Sequence, residues 1–400
     1  MILVFQLIAL IINEFQFVKI SSYAFQSINL DSAYFYRLFL GFFLLWLLLP
    51  KTFAKPSDFF LFLYGLFVVG PFVFFGLING DSLDSYHLGL LVTMLPIFVV
   101  KYSLKLKVKI KTIQLFSTRT TLWFLYFLSI VAVIYSLMNS HNLVGFSLEE
   151  IYLRRLEGRK VFVAGSLIAY LIGTLVNGIV PYLAFVAGQK NSKILILPIF
   201  ISVSFFYLIG LKAQFLYIPV AFLLGFLARS KSYYKLPKIF LLSVIGFFII
   251  IIFEWTLNDG FSYLSDYFFR RTNLTPGQMM SHYLEVITSS NLWSIWSGVD
   301  HIKGATYLIG ELYYSSTSNA NTSTFFFSLT NGGIFSLIFT VLLLIAFYTV
   351  LDSVYRRTKN PDFLFIGFFY ALIISEQAAT TALLSSGYAF IFLILFLKKT

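Results

Sequence analysis

Twelve apolar runs constrain the fold of this chain more than any other feature. They cover residues 2–18, 34–50, 57–78, 86–101, 121–139, 162–188, 193–210, 213–229, 237–256, 324–350, 362–379 and 383–397. A helix needs about 20 predominantly apolar residues to cross the hydrocarbon core of a bilayer. Hydrocarbon offers the backbone no hydrogen-bond partners, and the runs lack the two-residue alternation of a barrel strand. The sequence therefore predicts an all-α polytopic membrane protein with about 12 transmembrane helices.

The first apolar run is expected to remain in the mature protein. No basic region precedes it, no small-residue cleavage site follows it, and it contains Asn13 and Glu14. A secretory signal peptide has the opposite features. We therefore expect a retained first span.

The basic residues between the runs predict the orientation. With a cytoplasmic N-terminus, the cytoplasmic connections hold 19 of the 29 Lys and Arg residues, at 51–55, 101–119, 190–193, 229–238, 356–359 and 398–399. Because Lys and Arg concentrate in cytoplasmic loops, both termini are expected there, and the net charge of +12 indicates orientation rather than binding of nucleic acid. Residues 1–400 are expected to form a single integral membrane domain with two sizeable outer segments, 140–161 and 257–323.

The remaining basic residues fall on the outer side, where such residues are normally scarce. Lys19 and Arg37 lie near predicted helix ends, from which they can reach lipid headgroups. The others are Arg154, Arg155, Arg159, Lys160, Lys212, Arg270, Arg271 and Lys303. Their placement favours an anionic ligand on the outer face.

The outer segment 140–161 has the pattern of a short interfacial helix. Ser147 and Glu150 form a capping-box motif, and Gly158 is a suitable helix end. Such a helix presents its arginines near the headgroups. Two interpretations remain open: adhesion to anionic lipid, or docking of a phosphate-bearing lipid, with which Arg forms forked hydrogen bonds.

The outer segment 257–323 carries Arg270 and Arg271 among aromatic residues. Pro276 and Gly277 predict a turn into a following helix, with Thr275 as its N-cap. His282 and Glu285 would share one face of that helix, with Tyr283 between them in the sequence. A histidine there is either a general base or a structural residue.

Three further positions allow both a functional and a structural interpretation. Lys212 stands at a tight outer turn, where it either binds a ligand or reaches the headgroups. Glu254 and Glu376 lie near outer helix ends, and either balance the arginines or assist chemistry. Asn319 and Asn321 precede an apolar helix; Asn side chains suit carbohydrate hydroxyls, and they also suit ordinary helix capping.

Several motifs are absent from the sequence. The chain has no cysteine, no Asp-x-Asp motif for a metal-bound nucleotide sugar, no Gly-rich phosphate loop, and no His or Cys cluster. We therefore expect neither a metal nor another cofactor. The energy for any bond-forming reaction would then come with the substrate.

Taken together, these features resemble the bacterial O-antigen polymerase (Wzy) family, the oligosaccharide repeat unit polymerases. The resemblance lies in the polytopic helical pattern, an Arg-bearing outer loop, Arg270 and Arg271 before Pro276–Gly277, and Asn319-Ala-Asn321-Thr322 before an apolar helix. Arg154 is followed at the eleventh position by Gly165, similar to an Arg-to-Gly spacing in some members. The equivalent spacing after Arg270 or Arg271 is missing.

The resemblance implies a GT-C-like architecture in the bacterial inner membrane, with an active site on the periplasmic face. That family uses undecaprenyl-pyrophosphate-linked oligosaccharides as donor and acceptor and releases undecaprenyl pyrophosphate. The resemblance also implies two partners, membrane lipid and a protein that regulates chain length. The donor's sugar–pyrophosphate bond would supply the energy.

The resemblance also implies roles for the residues singled out above. Arg155 and Arg271 are catalytic candidates that would neutralise the leaving pyrophosphate, and His282 or Glu285 would activate the acceptor hydroxyl. The substrate-binding candidates are Arg154, Arg159, Lys160, Lys212, Arg270, Tyr283, Asn319 and Asn321.

Two alternatives remain open. An O-antigen ligase shares the donor and the outer arginines and differs in its acceptor. A lipid-linked oligosaccharide flippase or other transporter would bind the same headgroup without forming bonds. The polar residues concentrate outside the predicted spans, which argues against a transporter. Asn177, Gly178 and Pro181 keep this alternative open, because they are expected to break the sixth span, and broken helices are common in transporters.

Overall fold

The chain is almost entirely helical. The computed structural model describes residues 1–20, 25–76, 83–103, 108, 115–139, 165–190, 192–290, 293–299, 304–314 and 320–399. Within those residues no β-strand forms, and Phe116 and Lys398 make an isolated bridge. This confirms the all-α class.

Sixteen α-helices lie in the described part of the chain. They are α1 (Ile2–Phe15), α2 (Ser32–Leu48), α3 (Pro56–Phe75), α4 (Leu83–Ser103), α5 (Thr118–Asn139), α6 (Leu167–Gln189), α7 (Ile196–Ile209), α8 (Ala213–Arg229), α9 (Leu236–Leu257), α10 (Thr275–Ser290), α11 (Ser294–Ser297), α12 (Ala305–Tyr313), α13 (Thr324–Thr358), α14 (Asp362–Ile374), α15 (Ala379–Leu384) and α16 (Tyr388–Leu397). A π-helix, Ser265–Leu274, directly precedes α10. Helix α13 is kinked at Gly332 and Gly333.

The apolar runs of the sequence coincide with helices. Seven described helical stretches are long and apolar enough to cross a membrane: Ile2–Lys19, Pro56–Phe75, Ser85–Tyr102, Thr118–Met138, Leu167–Gln189, Tyr233–Leu257 and Thr324–Thr358. Five shorter apolar helices, of 10–17 residues, cover Ser32–Leu48, Lys193–Ile209, Ala213–Arg229, Asp362–Ile374 and Tyr388–Leu397. These helices support a membrane protein. Twelve spans and two cytoplasmic termini stay predictions.

The chain packs as two compact units. The first comprises residues 1–108, 237–350 and 371–379, and the second comprises 109–236, 351–370 and 380–400. Each unit is therefore assembled from chain segments that are distant in sequence. The expectation of one integral membrane domain stays a prediction for the chain as a whole.

An aromatic cluster holds the first unit together around Phe5 of α1. The Phe5 ring lies 5.3 Å from that of Phe240 on α9, 5.5 Å from that of Phe269, and 6.3 Å from that of Phe67 on α3. Tilted and edge-to-face rings at these distances attract each other. The cluster thus fixes the π-helix that contains Phe269 against three apolar helices.

Within the described residues, three helices contain a π-helical segment, and a proline follows each segment at the second position. The pairs are Gly65–Val69 with Pro71, Leu175–Ile179 with Pro181, and Ser265–Leu274 with Pro276. Proline lacks an N–H, and its ring crowds the carbonyl one turn earlier, so the helix widens there instead of ending. The prolines therefore mark local widening in helices that remain continuous.

The second unit corrects one expectation about the sixth apolar run. Asn177, Gly178 and Pro181 do not break α6, because the π-helical segment accommodates the proline. The freed carbonyl of Asn177 accepts a hydrogen bond from Tyr388 Oη at 2.7 Å, and Asn177 Nδ2 donates to Ser386 Oγ at 3.3 Å. The polar groups that suggested a transporter are thus used in helix packing.

Candidate functional site

The predicted site residues divide into those that the structure describes and those that it does not. Arg154, Arg155, Arg159, Lys160 and Asn319 lie outside the described residues, as does all of segment 140–161. Lys212 belongs to the second unit. The first unit contains Arg270, Arg271, His282, Tyr283, Glu285 and Asn321.

A continuous helix over residues 263–290 carries most of the described candidates. We name its π-helical part, Ser265–Leu274, the arginine segment. The turn predicted at Pro276 and Gly277 is wrong, since Thr275 has helical backbone angles (φ −60°, ψ −47°) and the helix continues through both residues. The preceding π-helix accommodates Pro276, so Thr275 lies inside the helix and is no N-cap.

Gly277 allows α10 to pack closely against α3. A Cβ atom at this position would lie 2.5 Å from Phe75 Cβ and 2.8 Å from the Pro71 carbonyl oxygen. Both distances are shorter than a normal contact, so only glycine fits. The glycine that predicts a turn in the sequence is therefore required for helix packing.

The arginine segment and the residues just before it have a buried face and an exposed face. Ser262, Ser265, Phe269 and Asn273 are buried. Tyr263, Tyr267 and Arg271 are exposed and follow each other at every fourth position. Residues four apart lie on one side of a helix. Arg271 thus belongs to the exposed face, in line with two tyrosines.

Gln16, at the end of α1, fixes the start of this helix. Its side-chain oxygen accepts hydrogen bonds from Ser265 Oγ at 2.7 Å, Trp255 Nε1 at 2.8 Å and the Ser262 N–H at 3.0 Å. Its side-chain nitrogen donates to the Ser262 carbonyl at 3.2 Å. Glu254 of α9 accepts from Ser262 Oγ and, at 3.0 Å, from the Leu264 N–H. Glu254 is therefore a helix cap.

Arg270 is held by Asp266, one turn earlier. Arg270 Nε lies 2.5 Å from Asp266 Oδ1 and its Nη2 lies 3.2 Å from Oδ2. The two side chains are largely buried, with 15% and 13% of their surfaces exposed. A forked pair of this kind orients the guanidinium and neutralises its charge locally. The two neighbouring arginines thus differ, because Arg270 is internally paired.

Arg271 has an electrostatic partner in Glu376, which lies in the turn after α14. Burial raises the pKa of the Glu376 carboxyl, and the positive charge of Arg271 opposes this rise. Nearby protein atoms partly remove water from this carboxyl, although the residue keeps exposed surface. Among the described residues Arg271 has no ion pair within 4.0 Å. Its charge is therefore accessible to an anion.

His282 and Glu285 lie on one face of α10, as predicted from their spacing. His282 Nδ1 is 3.8 Å from Glu285 Oε2, with 7% and 48% of the side-chain surfaces exposed. The imidazole stacks on Tyr313, with ring centres 3.8 Å apart and planes at 14°. This close stacking covers the imidazole. Glu285 is the more accessible of the two predicted bases.

Tyr283 is buried and holds the segment before α13. Its hydroxyl donates to the Ala320 carbonyl at 2.9 Å, and burial raises its pKa, so it remains a donor. The Thr324 side chain accepts from the Ala379 N–H at 2.7 Å, three residues after Glu376. Between these two anchors Asn321 is exposed. Tyr283 therefore positions Asn321, and its buried hydroxyl does not support direct contact with a substrate.

Lys212 is exposed at the start of α8. Gly210 before it has the left-handed conformation (φ 67°, ψ 26°) that ends α7 and makes the predicted tight turn. The position is compatible with ligand binding and with contact to headgroups.

Sequence reasoning missed Gln16 and Asp266 as parts of this site. Gln16 follows an apolar helix more than 200 residues before its partners, and no local pattern reveals that pairing. Asp266 does have a local signal, since a carboxylate four residues before an arginine predicts an ion pair on a helix.

No protein-family model matches this chain, and no curated protein and no solved structure matches it. The resemblance to O-antigen polymerases therefore rests on the residues given above.

Proposed function

We propose that this chain is a lipid-linked oligosaccharide repeat unit polymerase. It joins undecaprenyl-pyrophosphate-linked repeat units on the outer face of the bacterial inner membrane and releases undecaprenyl pyrophosphate. The observation that supports this proposal most is the contrast between Arg270, paired with Asp266, and Arg271, exposed on an anchored helix. Such an arrangement suits a fixed cationic site for an anion.

The leaving group of this reaction requires a cation. An acceptor hydroxyl attacks the anomeric carbon of the donor sugar, the bond from that carbon to the pyrophosphate oxygen breaks, and the electron pair stays on the pyrophosphate. A guanidinium placed at that oxygen stabilises the transition state more than the ground state, because negative charge grows as the bond breaks. We assign this role to Arg271 in the described part of the chain.

The acceptor hydroxyl loses its proton during the attack, and a carboxylate can take it. Glu285 is half exposed on α10, and the positive charge of Arg271 acts on the carboxyl of Glu376. A carboxyl with a raised pKa is a stronger base than an ordinary one. Glu376 therefore joins Glu285 and His282 as a candidate base, because its carboxyl is within the electrostatic influence of Arg271.

The remaining basic residues suit a second anionic group. The acceptor also carries a pyrophosphate-linked lipid, so the reaction brings two pyrophosphates to one enzyme. We assign Arg154, Arg155, Arg159, Lys160 and Lys212 to binding donor or acceptor pyrophosphate, with Asn319 and Asn321 contacting sugar hydroxyls.

The test uses the purified chain in lipid nanodiscs with lipid-linked repeat units extracted from the strain that encodes it. The proposal expects a ladder of longer lipid-linked chains, with undecaprenyl pyrophosphate released, and no added nucleotide or second enzyme. In a parallel reaction with added lipid A–core, transfer of the glycan to that acceptor without longer lipid-linked chains would indicate a ligase. Transport across the bilayer without any new bond would indicate a flippase. Either result would contradict the proposal.

A further inference from the structure

The exposed face that ends at Arg271 begins with two tyrosines. Tyr263 and Tyr267 expose 60% and 59% of their surfaces, although the residues between them are wholly or partly buried. Residues four apart lie on one side of a helix. The two rings and the guanidinium therefore form one strip along a single helix, which we name the tyrosine strip (Tyr263, Tyr267 and Arg271).

The backbone beneath the tyrosine strip is fixed. Ser262 and Ser265, which flank Tyr263 on the buried face, both bond to Gln16. Phe269, between Tyr267 and Arg271, packs against Phe5 with ring centres 5.5 Å apart. The Tyr263 ring is also supported by Phe261, edge to face at 5.0 Å. A recognition surface built on an anchored helix loses little conformational entropy on binding.

The chemistry of the strip matches a sugar attached to a phosphate. A sugar ring has an apolar C–H face and a rim of hydroxyls, and a tyrosine has an apolar ring face and a hydroxyl that donates and accepts. The guanidinium at the end of the strip matches phosphate oxygens. The order of groups along the helix is thus aromatic, aromatic, cation, as a glycan joined to a pyrophosphate would require.

We propose that Tyr263 and Tyr267 form a saccharide subsite, in which their rings stack on the sugars next to the pyrophosphate held by Arg271. This inference rests on the proposed function and adds a binding site for the glycan of the lipid-linked substrate. The subsite accepts the sugar rings through their C–H faces, so it tolerates different hydroxyl patterns. Arg271 then binds the pyrophosphate, which aligns the attached sugars with the two tyrosine rings.

The competing role for these tyrosines is anchoring at the membrane interface, where Tyr and Trp are enriched. An anchor binds lipid and needs no alignment with Arg271. The two roles predict different losses on substitution, because an anchor affects insertion and a subsite affects affinity for the glycan.

The experiment measures binding of two separate probes to the full chain in nanodiscs. The first probe is the lipid-free repeat oligosaccharide, released by mild acid from the strain's lipid-linked repeat units. The second is undecaprenyl pyrophosphate without sugar. The variants are the double substitutions Tyr263→Ala with Tyr267→Ala, and Tyr263→Phe with Tyr267→Phe. The matched control is Tyr234→Ala, since Tyr234 is 61% exposed and lies outside the strip.

We expect the double alanine variant to bind the oligosaccharide about tenfold more weakly, because two aromatic contacts are lost. Its affinity for undecaprenyl pyrophosphate should stay unchanged. The double phenylalanine variant should retain most of the oligosaccharide affinity, because the ring faces remain, and Tyr234→Ala should behave as wild type.

Unchanged oligosaccharide affinity in the double alanine variant would overturn the subsite, and so would a loss of membrane insertion without a loss of affinity. Chain elongation by the wild type in the same preparation separates this failure from that of the proposed function. If the wild type elongates and the alanine variant binds sugar normally, the subsite alone is wrong. If the wild type binds neither probe, both proposals fail.

Discussion

The side-chain amide of Gln16 forms two hydrogen bonds with the backbone of Ser262. Its oxygen accepts a hydrogen bond from the Ser262 N–H at 3.0 Å, and its nitrogen donates one to the Ser262 carbonyl at 3.2 Å. These two bonds join the end of α1 to the first turn of the helix that carries Arg270 and Arg271. The orientation of Arg271 thus depends on a residue that is distant in sequence.

Gln16→Met should lower the elongation rate by more than its loss of stability explains. Methionine roughly preserves the volume and removes every side-chain hydrogen bond of Gln16. The buried Ser262 N–H and the partly buried Trp255 Nε1 then lose their acceptor, at a cost of about 1–3 kcal/mol for a buried group. The arginine segment should then become mobile. Thermal unfolding in detergent and the elongation rate in nanodiscs measure the two effects.

Gln6→Met is the matched control for that substitution. Gln6 is a buried glutamine on the same helix, and its side-chain nitrogen donates to the Leu66 carbonyl at 3.1 Å, away from the arginine segment. Both variants should lose stability, and only Gln16→Met should lose elongation disproportionately. If the two variants lose elongation rate in the same proportion to their loss of stability, Gln16 has no positioning role.

Gly277→Ala should destabilise the first unit by about 1–3 kcal/mol, as overpacking does. The added methyl group would clash with Phe75 and with the Pro71 carbonyl oxygen. Gly246→Ala in α9 serves as the comparison, because a Cβ there meets no atom within 4 Å and alanine favours a helix. The melting temperature should fall for the first variant and stay equal or rise for the second. A stable Gly277→Ala protein would mean that α3 and α10 are not in backbone contact.

The pH dependence of stability should contain a contribution from Glu376. Its folded-state pKa is raised by burial, so the folded state holds this proton at a pH where the unfolded state has released it. Stability from this group is therefore greatest below the ordinary pKa of 4.5 and falls as pH rises through the raised value. Glu376→Gln should remove this pH-dependent fall in stability. The stability of the variant relative to wild type should therefore increase as the pH rises.

Melting temperatures over a pH series check this sign. Arg271→Ala should shift the loss to higher pH, because Arg271 opposes the rise in the Glu376 pKa. Parallel curves for wild type and Glu376→Gln would contradict the assigned environment of Glu376.

The sequence predicted some elements of this fold well and others poorly. The apolar runs predict the helices, because burial in lipid demands long apolar helices and the pattern is local. The turn at Pro276 and Gly277 and the break at Pro181 were wrong for one shared reason, since a π-helical segment before each proline keeps the helix continuous. A proline in the sequence does not by itself distinguish such widening from a turn or a break.

The candidate site was predicted only in part, because some of its features follow from local sequence and others from long-range packing. His282 and Glu285 were placed on one face by their spacing, a local property. The pairing of Arg270 with Asp266 has a local signal in its four-residue spacing, whereas the exposure of Arg271 depends on which face of the helix packs against α1. That packing involves Phe5 and Gln16, which are distant in sequence, so only the structure reveals it.

The most direct test of the central claim is the elongation rate of Arg271→Ala in nanodiscs containing extracted lipid-linked repeat units. Arg229→Ala, which removes an exposed arginine at the end of α8, is the matched control. We predict a loss of about 100- to 1,000-fold for Arg271→Ala, with normal insertion, and wild-type rates for the control. Wild-type elongation by Arg271→Ala would contradict the assignment of Arg271 to the leaving pyrophosphate.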